Sequence, residues 1–292
     1  MKRNKIGLVY LAPWIFGLLV FTIYPFIASL YYSFTDYNMI SKPHFVGLAN
    51  YVQLFTADPD FKTSLIATFE YVFLTVPLQL IFALLIAFVL NFKLKGIGFY
   101  RVAYYIPSLL GGNVAIAVLW RLMFNDTGLI NQIVNLFGIH SISWFSSTAG
   151  AMTVLTILKV WQFGSAMIIF LAALKNVPQE LYEAAEMDGA SKISTFFKIT
   201  IPLITPTIFF NLVMQLINGF QEFNGPFLIT GGGPLNRTNL ISMLIYNDAF
   251  KFSKMGYSSA ASWVLFIIIM VFTGLLFWSQ NKWVFYSDGG NN

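Results

Sequence analysis

The chain contains no cysteine, only two histidines, and charged residues at just 10% of its 292 positions. Without cysteine there are no disulfides and no thiolate metal sites, although this says little about the compartment. No Gly-Lys dipeptide occurs, which excludes a Walker A phosphate-binding loop. His44 and His140 stand alone, and no Ser/His/Asp set or carboxylate pair is placed for catalysis. We therefore expect no catalytic site, no metal site and no bound cofactor in this chain.

Apolar residues, in contrast, fill 57% of the sequence. A soluble domain carries about 25% charged residues, so this is the composition of a membrane protein. A bilayer core of about 30 Å requires roughly 20 helical residues. The fourth apolar segment reaches that length only if it begins near Ala149 and includes Lys159. We predict an all-α fold, one transmembrane domain over residues 1–292 with six membrane helices: Leu8–Phe34, Tyr71–Phe92, Val102–Trp120, Trp161–Leu174, Ile199–Gln221 and Met255–Asn281.

The basic residues of the loops predict the orientation of these helices. The first apolar run is too long for the h-region of a signal peptide, so it is interpreted as a retained helix. Ten Lys and Arg residues then fall on the side of the N-terminus: Lys2, Arg3, Lys5, Lys93, Lys95, Arg101, Lys175, Lys192, Lys198 and Lys282. Six fall on the other side: Lys42, Lys62, Arg121, Arg237, Lys251 and Lys254. Because cytoplasmic loops are richer in Lys and Arg, both termini are predicted to be cytoplasmic. The net charge of +5 then reflects topology, and we expect membrane lipid and no nucleic acid as a partner.

A short acidic helix is predicted in the polar loop over about residues 175–200. Pro178 suits a first helical turn, Asn176 is a candidate cap, and Gln179–Met187 forms about two turns. Gly189 permits the left-handed conformation that ends a helix. From these physical features alone, the segment is either a solvated connector or a docking element.

Further residues of this loop carry a family resemblance. Glu183, Ala184, Ala185 and Gly189 are followed by Ile199-Thr200-Ile201-Pro202, and Asp188 precedes the glycine. This spacing, E-A-A-x3-G-x9-I-x-[L/I]-P, resembles the cytoplasmic signature loop of permease subunits in binding-protein-dependent ABC importers. The resemblance implies a coupling helix that docks on a separate ATPase. In it, the glutamate sets how the loop sits on the ATPase and the glycine sets its turn.

The same resemblance implies the remaining architecture and the partners. The fold would be that of a type I ABC importer permease in the cell membrane of a prokaryote. A second permease subunit would complete a heterodimer, two ATP-binding subunits would carry ATP and magnesium, and an extracytoplasmic sugar-binding protein would deliver the substrate. The implied mechanism is alternating access.

Polar side chains follow one face of the fifth apolar segment, at spacings i, i+4, i+7 and i+11. They are Asn211, Gln215, Asn218 and Glu222, with Gln221 and Asn224 beside the outer end. Intramembrane polar groups normally face a bundle interior or a watery cavity. They either line a pathway, where amides bind sugar hydroxyls, or join helices. The inner pair, Asn211 and Gln215, fits the second role better.

The continuation of this segment resembles the sugar-specific branch of the family, whose pattern is roughly F-Q-x-F-D-x4-[L/I]-T-x-G-G-P. Here it extends from Phe220 to Pro234, with Asn224 where aspartate is common. Phe220, Phe223 and Phe227 are available to cover the C–H surface of a sugar. The glycine-rich end resembles the region that meets the substrate-binding protein.

Two other segments supply candidate pathway residues. Lys159 lies within the fourth span, where its amine reaches either water or Glu222. Gln162 occupies a region in which maltose-type permeases contact sugar. In the third span, Pro107, Gly111 and Gly112 precede Asn113, and this pattern indicates either a broken helix near the substrate or a packing kink.

Two other classes of membrane protein fit the same helices. An ion-coupled secondary transporter would depend on a membrane carboxylate, for which Glu222 and Glu70 are the candidates. A scaffold or sensor would move no substrate. The sugar itself, whether neutral or a uronate, stays open.

Overall fold

The computed structural model describes residues 3–92 and 95–285. In this part of the chain all regular structure is helical, apart from one isolated antiparallel bridge between Thr35 and Phe45. The predicted all-α class is therefore confirmed. Lys2 and Lys93, which contributed to the predicted orientation, lie outside the described residues.

The helices are named in chain order: α1 (Arg3–Leu18), α2 (Tyr24–Ser33), α3 (Ala49–Thr56), α4 (Pro59–Asn91), α5 (Ile97–Leu110), α6 (Val114–Met123), α7 (Leu129–Leu136), α8 (Thr148–Trp161), α9 (Gly164–Lys175), α10 (Gln179–Met187), α11 (Lys192–Thr195), α12 (Ile201–Leu203), α13 (Thr205–Phe220), α14 (Ile241–Tyr246) and α15 (Met255–Gln280). Four π-helical stretches adjoin them: Leu19–Ile23, Phe196–Thr200, Pro226–Thr230 and Asn247–Lys251.

Three helical segments are long and apolar enough to cross a membrane without interruption: Tyr10–Ser33, Pro59–Asn91 and Met255–Gln280. Three further crossings are helix pairs, bent by 100° between α5 and α6, by 42° between α8 and α9, and by 68° between α12 and α13. With each pair as one span, the described chain has the six predicted crossings.

Of the two alternatives for the third span, the structure selects the broken helix, and the fourth and fifth spans, predicted as continuous apolar segments, are broken too. Two of the three breaks have a local cause. Pro206 stands at the start of α13, where it has no N–H to donate to the preceding turn. Asn113 has extended backbone and caps α6 instead of continuing α5. Hydropathy detects the length of an apolar run but does not detect such breaks.

Helix α4 begins well before the predicted Tyr71. The Asp58 carboxylate accepts hydrogen bonds from the backbone N–H groups of Asp60 (2.8 Å) and Phe61 (3.0 Å), so it caps the helix at Pro59. At 33 residues and about 1.5 Å per residue, α4 exceeds the hydrocarbon thickness.

Two compact units make up the chain. The first contains the residues up to Lys62 together with Ile241–Ile267. Within it, the N–H of Gly256 donates to the carbonyl of Tyr37 at 2.8 Å, and the Tyr257 hydroxyl donates to the Asp58 carboxylate. The Phe26 and Trp263 rings pack 4.7 Å apart. The start of α15 is therefore held by the loop after α2 and by the cap of α4.

The second unit contains Thr63–Leu240 and the residues from Ile268 onward. Its interior includes the fully buried side chains of Tyr71, Phe170 and Phe220. The Phe220 ring packs 5.5 Å from Phe69 and 5.6 Å from Phe272. The candidate coupling helix and every candidate pathway residue belong to this unit.

Candidate coupling helix and substrate pathway

Helix α10 spans Gln179–Met187, as the sequence predicts, and its end is set by backbone geometry. Gly189 adopts φ +73°, its N–H donates to the carbonyl of Glu186 at 3.0 Å, and the N–H of Ala190 donates to Ala185 at 2.9 Å. This is a Schellman closure, in which a glycine takes the left-handed position. The predicted cap by Asn176 is wrong, because Pro178 occupies the cap position and no side chain bonds there.

The side chains of α10 divide between a buried and an exposed face. Ala185 is buried, and the Tyr182 hydroxyl lies 3.1 Å from the Thr200 hydroxyl. Glu183, Ala184 and Asp188 are exposed, as is Gly189. Met187 is 89% exposed and Ile193, beyond the turn, is 73% exposed. Apolar side chains left this open mark a surface that can receive another protein.

Lys159, near the end of α8, forms an ion pair with Glu222, which follows the end of α13. Nζ of Lys159 lies 2.8 Å from Oε2 of Glu222, and the two side chains are 13% and 16% exposed. The other carboxylate oxygen of Glu222 accepts the N–H of Gly225 at 3.2 Å. Of the two partners expected for this amine, the structure selects Glu222. The pair also fixes the turn after α13.

Gln162 lies at the break between α8 and α9 and connects it to the break between α5 and α6. Its side-chain Nε2 donates to the carbonyl of Gly111 at 3.3 Å. Its backbone carbonyl accepts from Gln79 Nε2 at 3.1 Å and from the Ser108 hydroxyl at 3.0 Å. The break after α8 leaves backbone carbonyls without a helical hydrogen-bond donor. The side chains of Gln79 and Ser108 supply donors to one of them, the carbonyl of Gln162.

The segment after α13 also lies beside the break between α5 and α6. Asn224 Nδ2 would lie 3.4 Å from a Cβ placed on Gly112, so the side chain adjoins the α5–α6 break. Asn113 is exposed, and its Oδ1 accepts the N–H of Ala115 at 2.9 Å. The α5–α6 break, the α8–α9 break and the turn after α13 therefore meet in one region, which contains Gln162, Asn113 and Asn224.

The polar residues predicted to share one face of α13 differ in their exposure. Asn218 is exposed and Gln215 half-buried, whereas Asn211 is 1% exposed and its Nδ2 has no hydrogen-bond partner within the described chain. Helix α13 ends at Phe220, so Gln221 and Glu222 follow it in a turn rather than extending the face. The outer residues thus form a cluster around the end of α13.

Of the three phenylalanines available for sugar contact, Phe220 is buried in the interior of the unit. Phe223 and Phe227 are half-buried, and their rings stack 4.9 Å apart. Beyond them, a cavity of about 590 Å³ lies between α6 and the glycine-rich segment; Arg121, Asn125 and Thr230 line it.

Sequence reasoning missed the residues that hold the breaks together. Gln79 is 2% exposed, and its amide in an otherwise apolar span was the available signal. Ser108 bonds Gln162 and also accepts the N–H of Ser165 at 3.0 Å. A Cβ on Gly164 would lie 2.6 Å from the carbonyl oxygen of Tyr104, so α9 and α5 meet at backbone distance. No spacing rule reveals such tertiary contacts.

No group of three or more His, Cys, Asp or Glu side chains that could hold a metal ion occurs within residues 3–92 and 95–285. The charged side chains at the helix breaks, Lys159 and Glu222, are paired with each other. This arrangement offers hydrogen-bonding groups and aromatic faces to a passing polar molecule.

Comparison with known proteins identifies relatives over nearly the whole chain. The probable ABC transporter permease protein YesP of Bacillus subtilis is 45% identical over 290 residues, covering 98% of this chain and 94% of its own. The trehalose/maltose transport system permease protein MalF of Thermococcus litoralis is 34% identical, with 93% and 92% covered. The arabinooligosaccharides transport system permease protein AraP of Halalkalibacterium halodurans is 35% identical, with 92% and 86% covered. These relatives are transport subunits rather than enzymes.

The fold also matches a solved structure, a bacterial ABC transporter involved in the import of the acidic polysaccharide alginate. The TM-score is 0.83 at 21% identity, and 96% of each chain is covered. This likeness confirms the predicted permease fold. The family described as the inner membrane component of binding-protein-dependent transport systems matches residues 60–283, and the chain belongs to this family.

Proposed function

We propose that the chain is one of two permease subunits of an ATP-driven importer and forms half of the pathway for a carbohydrate. The observation that carries the proposal is α10, a short helix closed by Gly189 that leaves Glu183 and Met187 exposed. Together with Ile193, which is 73% exposed, these side chains form a mixed acidic and apolar surface that another protein can cover. The expected occupant is an ATP-binding subunit.

Coupling through α10 is assigned to Glu183, Ala184, Ala185, Asp188 and Gly189. The acidic residues face solvent, where they can bind a cationic side chain of the ATPase. Buried Ala185 keeps the helix close to the membrane bundle, and Gly189 fixes the angle at which the chain leaves it. ATP and magnesium would bind to two copies of that partner, not to this chain.

The substrate pathway is assigned to the region where the α5–α6 break, the α8–α9 break and the turn after α13 meet. Its residues are Asn218, Gln221, Glu222, Asn224, Gln162, Lys159 and Asn113. Amides offer both donors and acceptors to sugar hydroxyls, and the stacked Phe223 and Phe227 offer an apolar face. The relatives named for trehalose, maltose and arabinooligosaccharides support a carbohydrate as substrate.

The complete transporter would contain a second, different permease subunit and an extracytoplasmic sugar-binding protein. Both termini and α10 would face the cytoplasm of a prokaryotic cell. Closure of the ATPase dimer would move α10, open the bundle outward to take the sugar, and hydrolysis would reset it inward. The bundle is then the two-state element that both sites bias.

The proposal is tested by sugar uptake into proteoliposomes that contain this chain, its partner permease, the ATPase and the binding protein. We expect uptake to require enclosed ATP and loaded binding protein, and to be indifferent to a proton or sodium gradient. A gradient-driven uptake without ATP, abolished by Glu222→Gln, would instead identify a secondary transporter. Neutral oligosaccharides and a uronate-containing one should be compared in the same assay.

A further inference from the structure

A cavity of about 460 Å³ lies in the second unit where α4, α5, α9 and α10 come together. Asn91 at the end of α4, Arg101 on α5, Lys175 at the end of α9 and Tyr182 on α10 line it. Its size is within the range of small-molecule sites, about 300–1,000 Å³. None of the pathway residues assigned above lines this cavity.

The charge of the cavity has one sign. Arg101 and Lys175 are among its lining residues, and no carboxylate is among those that the structure describes. The one hydrogen bond of the Arg101 guanidinium in the described chain runs from Nη2 to the carbonyl of Leu90 at 3.3 Å, and its enclosed Nε has no partner. A guanidinium with five N–H donors is thus far from saturated. An anion would complete its bonding.

The location of the cavity indicates which anion. It adjoins the ends of two membrane spans, α4 at Asn91 and α9 at Lys175. Because both apolar runs end there, we expect the hydrocarbon core to give way to headgroups at this level. Part of its wall is apolar, formed by Phe92, Ile97, Leu174 and Val177. A cation pair beside an apolar wall at this depth matches a phosphate joined to acyl chains, and basic pockets between membrane helices bind such headgroups.

We propose that this cavity binds the phosphodiester headgroup of an anionic phospholipid, with the Arg101 guanidinium and the Lys175 ammonium as its ligands. Arginine suits the task because its planar fork can bond two phosphate oxygens at once. Lysine supplies a second, point-like charge.

The site has a consequence for coupling, which rests on the proposed function. Tyr182 and Gln179 line the cavity from the first turns of α10, one turn apart on the same side. A bound headgroup would therefore hold the start of α10 against the ends of α4 and α9. Anionic lipid would stabilise the position from which α10 transmits movement.

The binding test needs neither ATPase nor transport, so it is separate from the proposed function. The full chain, purified in neutral detergent, is titrated with phosphatidylglycerol or with phosphatidylcholine of the same acyl chains, and retained lipid is counted by native mass spectrometry. We expect selective retention of one phosphatidylglycerol. Arg101→Gln and Lys175→Gln should each weaken it about tenfold, the loss expected of a charge-assisted hydrogen bond.

Lys198→Gln is the matched control, because Lys198 is an exposed lysine of the same loop that does not line the cavity. Its binding should equal that of the wild type. Lys175→Gln keeps the test decisive if Arg101→Gln, which also loses the bond to Leu90, lowers the melting temperature. Equal retention of both lipids, or wild-type binding by both variants, would overturn the proposal.

Two further outcomes would assign the cavity to another occupant. Displacement of phosphatidylglycerol by millimolar glycerol 3-phosphate would refute the lipid as source and point to a soluble phosphate ester. Unchanged lipid binding by Arg101→Gln, together with lost copurification of the ATPase, would show that an acidic side chain of the partner subunit enters instead.

Discussion

The ammonium of Lys159 lies 2.8 Å from a carboxylate oxygen of Glu222, so the only two charges at the meeting point of the helix breaks, within the described chain, neutralise each other. Lone charges in a membrane segment are costly, and each of these makes the other tolerable. Removing one partner therefore leaves an uncompensated charge, whereas removing both does not.

A double-mutant cycle tests this pair. Lys159→Met and Glu222→Met should each lower the free energy of unfolding by up to roughly 3 kcal/mol. This is the low end of the range for breaking a buried ion pair, because both side chains keep some exposure. The double variant should lose much less than the sum. The melting temperature of the purified chain gives the cycle, and additive losses would show that the two charges do not depend on each other.

Close packing of α9 on α5 makes Gly164 sensitive to a single methyl group. A Cβ there would lie 2.6 Å from the Tyr104 carbonyl oxygen and 2.8 Å from Tyr105 Cα. Because these are backbone atoms, Gly164→Ala should cost about 1–3 kcal/mol, as overpacking does. Gly274→Ala in α15 is the control, since a Cβ there meets nothing within 4 Å. Equal melting temperatures for the two variants would contradict the packing described.

At Gly189, in the turn after α10, the effect of a substitution should depend only on how well the new residue tolerates the backbone conformation. Nothing lies within 4 Å of a Cβ on Gly189, but its φ of +73° is left-handed. Gly189→Val should cost at least about 1–2 kcal/mol in that conformation, whereas Gly189→Asn should be milder, because asparagine tolerates it. ATPase activity stimulated by loaded binding protein should follow the same order. If the valine and asparagine variants lose stimulated ATPase activity equally, the conformation of this turn does not determine coupling.

Asp248, in the π-helical stretch after α14, is 7% exposed, and burial raises the pKa of its carboxyl. Lys254, 3.8 Å away, opposes the rise, while Asp58 and Asp60 add to it. A raised pKa gives stability that is complete at low pH and lost as pH rises through the folded-state value. The melting temperature of the wild type, relative to Asp248→Asn, should therefore fall as pH rises above about 4, the ordinary pKa of an aspartate. If the melting temperatures of the two proteins vary with pH in the same way, the pKa of Asp248 does not differ between the folded and unfolded states.

The absence of cysteine makes the predicted orientation directly measurable. Met187 is 89% exposed and Leu235 is 86% exposed. In vesicles that carry this chain without its ATPase, a membrane-impermeant maleimide should label Met187→Cys only when the vesicles are inverted and Leu235→Cys only when they are right-side-out. The unsubstituted chain is the blank, since it has no thiol. Labelling from the opposite sides would reverse the assigned topology.

Features fixed by neighbouring residues were predictable. Helix α10 and its end at Gly189 follow from a proline, a short helix-forming run and a glycine, all within about a dozen residues. The six crossings follow from apolar length. The family resemblance rested on the same local spacing, so it did not depend on whether the membrane helices are continuous or broken.

Features fixed by distant residues were not predictable. The sequence indicated that Lys159 needs an anion or water, but only the fold selects Glu222, 63 residues further along the chain. Proline and glycines indicated the bend at Asn113 as one of two alternatives, whereas the bend at Gln162 carries no such local signal. Gln79 and Ser108 acquire their roles only once those bends exist. The early start of α4 depended on Asp58, whose capping role hydropathy cannot detect.

The central claim is that α10 couples this chain to a separate ATPase. The most direct measurement is copurification, in mild detergent, of the tagged chain from its native host, comparing wild type with Glu183→Ala combined with Gly189→Arg. We expect a stoichiometric ATPase and a second permease with the wild type, and loss of the ATPase from the variant. A chain that purifies alone or as a homodimer, unchanged by the substitutions, would contradict it.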